Sequence, residues 1–125
     1  MPEEWLYSDT LSYHFEVKDT LPAFDINLTL EHSEQFAFGN LYVLITTGFP
    51  NGQQVSNPVS LALSDNFGQW LGKCSNDWCK TTLQLSEKIY FDKAGKYSIH
   101  INQHSRKPIV EGIRAAILTV SKSKS

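Results

Sequence analysis

The sequence predicts an all-β protein: an antiparallel two-sheet β-sandwich, jelly-roll-like, with about eight strands. Three observations point there. Apolar residues alternate with polar ones along most of the chain, the period of a strand with one face in a core and one in water. Turn-forming residues recur between these runs, at a spacing of about ten residues. No stretch carries apolar residues at helical spacing.

The elements follow in order. Residues 1–11 read as a lead-in, acidic at first and then Trp5-Leu6-Tyr7. A single domain is expected over 12–120, and 121–125 as a flexible tail. Tyr13, Phe15 and Val17 alternate in the first strand, and Asp19 to Pro22 make a turn. Phe24 to Glu31 alternates more cleanly, with Asp25, Asn27 and Glu31 on the wet face. Leu41 to Thr47 is apolar on both faces, which suits an interior strand. Val59 to Ser64, Thr81 to Ser86, Ile89 to Phe91, Lys96 to Asn102 and Val110 to Val120 complete the set. The long connections at 32–40 and 48–58 suit strands that cross between two sheets better than an up-and-down barrel.

The stretch Asn66-Phe67-Gly68-Gln69-Trp70-Leu71-Gly72-Lys73-Cys74-Ser75-Asn76-Asp77-Trp78-Cys79 stands out. It holds both cysteines and two of the three tryptophans. Gly68 and Gly72 bracket Gln-Trp-Leu and predict a bend on each side. Cys74 and Cys79 suit a disulfide closing a small loop, with a loop-entropy stabilisation of about 2 kcal/mol. Free thiols, and a metal or redox pair, are the alternatives. Trp5, Trp70 and Trp78 together offer an aromatic platform for a sugar ring. Packing of Trp70 into the sandwich, and of Trp78 over the cysteine loop, is the competing reading.

Composition narrows the function. The chain has 125 residues, 41% hydrophobic and 19% charged, with a net charge of -2. That is enough apolar material for one core, and too little basic charge for nucleic acid as main partner. Lys and Arg concentrate only at Arg106-Lys107 and at Lys122 and Lys124. No apolar run approaches the ~18 residues that span a membrane. Met1-Pro2-Glu3-Glu4 carries no secretory signal, and a mature chain freed of its export signal would begin the same way. Nucleophile-elbow, phosphate-loop, zinc-protease and dinucleotide motifs are all missing. His14, His32, His100 and His104 read as solvated, with a metal site built on His100, His104 and a carboxylate as the sharper alternative. No cofactor or metal is expected.

Four pieces, in order, resemble the gliding-motility lipoprotein GldH family: Phe15-Glu16-Val17-Lys18-Asp19, Asn40-Leu41-Tyr42, Gly68-Gln69-Trp70-Leu71-Gly72, and Gly95-Lys96-Tyr97 running on to Gln103, Arg106 and Gly112-Ile113. The resemblance covers about residues 5 to 122. It implies a soluble domain of an exported lipoprotein, with the lipidated cysteine upstream of Trp5 and residues 1–11 as the link to that anchor. It implies a membrane-anchored place in the cell envelope facing the periplasm, envelope or motility proteins as partners, and no catalysis. Cys74 and Cys79 depart from a stretch that is glycine-rich in the family, and Asn57-Pro58, Ser105 and Ala116 depart at single positions. The expected function is therefore a non-enzymatic tethered domain acting through protein contacts, with Trp78, Phe49 and Trp70 as its candidate surface. A carbohydrate-binding sandwich using exposed tryptophans is the alternative.

Overall fold

The structure, a computed structural model, describes residues 4–105 and 109–123. Ten strands form among the described residues: β1 (Glu4–Leu6), β2 (Leu11–Val17), β3 (Phe24–Ser33), β4 (Asn40–Gly48), β5 (Gln54–Ala62), β6 (Lys73–Ser75), β7 (Trp78–Ile89), β8 (Gly95–Gln103), β9 (Ile109–Glu111) and β10 (Ile113–Lys122). Two four-stranded sheets, ordered β10-β3-β7-β6 and β2-β8-β4-β5, enclose the core, and β1 pairs with β9 in a two-stranded ribbon. All pairings are antiparallel. The chain passes directly between the two four-stranded sheets at 18–23, 34–39, 63–72 and 90–94, while β4–β5 and β6–β7 are hairpins within a sheet.

The expected sandwich is present, with more strands than expected. The ribbon strand β1 lies in the expected lead-in, because Trp5 is buried at 2% exposure and its indole Nε1 donates to the Asp9 carbonyl at 2.7 Å. The expected last strand is two strands. Gly112, at φ 97°, breaks it, and a register shift follows between Ile113 and Ala115. That shift is why Ile113 lies buried on the same side as Ala116, Leu118 and Val120 rather than with Ile117, which is 49% exposed. Ser121 and Lys122 continue β10 instead of fraying, and Ser123 N–H donates to Ala23 O.

Of the two long connections expected to cross between sheets, 34–39 does and 48–58 does not. Pro50 to Gln53 makes a tight turn, with Asn51 Oδ1 accepting from Gln53 N–H at 2.9 Å and Gly52 at φ 88°. The strand β5 then begins at Gln54, and Pro58 is tolerated inside it because β5 is an edge strand.

The core follows the alternation. Ile26, Leu28 and Leu30 of β3 face Val43 of β4 and Tyr97, Ile99 and Ile101 of β8 across the sandwich. Phe15, Phe24, Phe91 and Tyr97 cluster at one end. Tyr13 closes one side: its hydroxyl reaches from β2 to the Ala116 carbonyl of β10 at 2.7 Å. Burial raises its pKa above the usual phenol value.

Candidate functional site

The distinctive stretch folds as a cap on the sandwich end opposite that phenylalanine cluster. Asp65 organises its first half: Oδ1 accepts from Phe67 N–H and Gln69 N–H, both at 2.9 Å. Gly68 takes φ 79° there, a conformation glycine holds without strain. The turn leaves Phe67 at its tip, 90% exposed. Gly72 is needed for closeness rather than for an unusual bend: a Cβ there would lie 2.3 Å from the Lys80 carbonyl oxygen.

Trp70 turns inward. It is half-buried against the core, its ring 4.4 Å from the His32 ring and 6.5 Å from Phe36, and Nε1 donates to Glu34 O at 3.0 Å. His32 is fully buried, contrary to the solvated histidine expected. The inward series Ile26, Leu28, Leu30 runs on to residue 32, so the strand continues into the polar lettering His32-Ser33. Its Nδ1 pairs with Ser33 O at 2.9 Å, and Nε2 is buried without a partner among the described residues.

The second half is a hairpin. Ser75 and Trp78 face each other across Asn76-Asp77, whose φ values of 53° and 70° are those of a type I′ turn. Cys74 and Cys79 are direct cross-strand partners, their Cα atoms 4.0 Å apart and their sulfurs joined. Glu34 approaches this pair, with its carboxylate within 4.8 Å of both sulfurs. Two sulfurs bonded to each other offer no thiolate, so the trio holds no metal in this form.

Trp78 is half-buried on the outer face, with the Arg114 guanidinium 4.2 Å from its ring centroid. Arg114 also pairs with Glu31 at 2.9 Å. A groove of about 440 Å³ runs past Trp78, lined by Glu4, Gln35, Phe36 and Glu111 among others. Phe49 lies elsewhere, in the β4–β5 turn, 36% exposed with its ring 5.9 Å from Tyr97. The three candidate side chains therefore do not share one surface: Trp70 packs inward, Trp78 lies under Arg114, and Phe49 borders the β8 side. Nor do the tryptophans form a platform, since Trp5 is in the core.

His100 contacts Ser12 Oγ at 2.9 Å and lies edge-on to His14, while His104 N–H bonds Tyr42 O. Among the described residues no carboxylate joins the two. The basic pair Arg106-Lys107, and Lys124, lie outside the described residues. Sequence reasoning missed Phe67, Leu21 (83% exposed) and Tyr90 (67% exposed) as presented apolar side chains. The available signal was their place beside turn residues, Asn66-Phe67-Gly68 above all.

Comparison with known proteins places these features in a family. The model of the family described as GldH lipoprotein matches residues 1–118. A protein of Christiangramia forsetii, named gliding motility lipoprotein GldH homolog, is 25% identical over 104 residues, or 83% of this chain. That alignment spans 64% of the relative's own length. With a match across nearly its entire length, the chain belongs to the GldH lipoprotein family.

Proposed function

We propose that this chain is the folded domain of a membrane-tethered envelope lipoprotein of the gliding-motility type, and that it acts through protein contacts rather than catalysis. The observation that carries the reading is the lipoprotein family match over residues 1–118. The anchor is a lipid on a cysteine upstream of this chain, and residues 1–11, outside the short strand β1, lead from it. The domain faces the periplasm, where an oxidising milieu keeps Cys74 and Cys79 paired. Stable attachment takes more than one acyl chain.

Trp78 is the first contact residue to test. It is half-buried and borders an open groove, so a partner can complete its burial. Phe49 and Trp70 are secondary: each already has aromatic neighbours within the domain. The test is Trp78→Ala in the full-length tethered protein, with thermal unfolding and recovery of envelope proteins by affinity capture measured together. The reading expects a midpoint lowered by no more than a few degrees, from the lost Arg114 contact, and weaker recovery of a defined partner. A midpoint lowered by more than a few degrees, or unaltered recovery, contradicts the role given to Trp78.

A further inference from the structure

The sheet β10-β3-β7-β6 is incomplete on one side. The strand β7 has twelve residues, but β6 pairs only with Trp78, Cys79 and Lys80. The chain leaves the sheet at Gly72, and Leu71 N–H donates to Leu63 O rather than to β7. Past Lys80 no described strand lies beside β7 on that side.

The hairpin fixes which groups are free. Ser75 and Trp78 flank a two-residue turn, so they are a hydrogen-bonded pair, and Cys74–Cys79 is the closer non-bonded pair. By alternation Lys80 points its backbone groups at β6, and Thr82 and Gln84 point theirs at the empty edge. A register shift between Gln84 and Ser86, opposite Asn27 and Ile26, ends the regular edge there.

Four further observations surround this short edge. A groove of about 420 Å³ lies along it, lined by Leu71, Lys73, Lys80, Thr82 and Leu83 among others. Thr81, 5% exposed, also lines it, and its Oγ1 has no hydrogen-bond partner among the described residues. Lys73 and Lys80 are direct cross-strand partners, a like-charge pair that opposes the hairpin, and neither makes an ion pair among the described residues. The half-exposed Leu83 supplies an apolar position between Thr82 and Gln84.

We propose that the β7 edge at Thr82–Gln84 accepts an extended segment of a partner protein by strand addition, with the segment's acidic end against Lys73 and Lys80. The segment lies antiparallel to β7 and continues the line of β6. Its backbone bonds Thr82 and Gln84, one apolar side chain covers Leu83, and carboxylates relieve the lysine pair. The proposal deepens the protein-contact reading, but its site is separate from Trp78.

The test uses the full chain, isotope-labelled, and a synthetic peptide of alternating valine and threonine ending in two glutamates. The Thr82 and Gln84 amides are expected to exchange freely in the protein alone and to slow about tenfold with peptide. Gln84→Pro removes one outward N–H without touching the β3 ladder, and should abolish binding at an unchanged thermal midpoint. Lys73→Glu with Lys80→Glu tests the same site without altering the backbone. It should weaken the glutamate-ended peptide about tenfold and favour a lysine-ended one. The proposal is overturned by Thr82 and Gln84 amides already protected in the free protein, by equal binding of both peptides to both charge forms, or by no peptide binding. A dimer that forms with concentration and is lost in Gln84→Pro gives the edge to a second copy and overturns it too. Any of these results leaves the Trp78 capture experiment unaffected, so the two readings fail separately.

Discussion

Asn76 and Asp77 both hold left-handed backbone, at φ 53° and 70°, which costs a residue with a Cβ about 1–2 kcal/mol. Glycine avoids that cost, and Asp77 contributes its backbone carbonyl, which accepts from Glu34 N–H at 2.9 Å. Asp77→Gly therefore keeps the bond and should raise stability by about 0.5–1 kcal/mol, seen as a higher urea midpoint at constant slope. Gly72→Ala should act oppositely, by about 1–3 kcal/mol, since its Cβ would press on the Lys80 carbonyl. Gly68→Ala meets nothing within 4 Å and should cost only its backbone strain, about 1 kcal/mol. These positions show what was legible residue by residue. The pairing of two glycines around Gln-Trp-Leu marked two tight places, but not that one is a bend and the other a close approach. His32 was illegible for a different reason. Its letters are polar, and only the continued period from Ile26 put it inside, under the Trp70 ring.

At the scale of elements, the β6–β7 hairpin depends on its disulfide. The strand β6 has three residues, one of them in a like-charge pair. Cys74→Ser with Cys79→Ser should cost about 2 kcal/mol and speed amide exchange in β6 well before the rest of the sheet. Uniform loss of protection across both sheets would show instead that the hairpin folds only with the whole domain. The end of β10 depends on Asp25. Its carboxylate Oδ1 accepts from Ser123 Oγ at 2.6 Å and from Lys88 N–H at 2.9 Å, joining the ends of β3, β7 and β10. The Ser123 bond first, then the Lys88 bond, hold its pKa below the usual aspartate value, with burial opposing them. A depressed carboxylate contributes stability above its unfolded pKa and loses it as pH falls through the folded value. The β10 terminus should therefore loosen on acidification below about pH 4, followed by amide exchange at Lys122 and Ser123. Asp25→Asn should remove that pH dependence.

At the scale of the molecule, the two-sheet architecture was legible because alternation is a direct record of one wet and one dry face. The ends of strands were not. Pro58 and the mostly polar run Gln53 to Asn57 read as a loop, yet an edge strand needs neither an N–H on its open side nor apolar residues on both faces. Trp5 read as part of a lead-in because a three-residue ribbon has no period to detect. The candidate surface was legible only in part. Aromatic residues could be marked, but Trp70 finds its neighbours in Phe36 and His32, which are distant in sequence. A local pairing was hidden too: Lys73 and Lys80 become opposed only once the hairpin register is set.

The proposed role of this tethered domain is contact with other envelope proteins. Site-specific photo-crosslinking tests it most directly, with a photoreactive phenylalanine analogue replacing Trp78 in the full-length protein in living cells. One discrete protein adduct is expected in the membrane fraction, absent when the analogue sits at exposed Lys96 on the other sheet. The absence of any protein adduct at Trp78, or the same adducts from both positions, would contradict it.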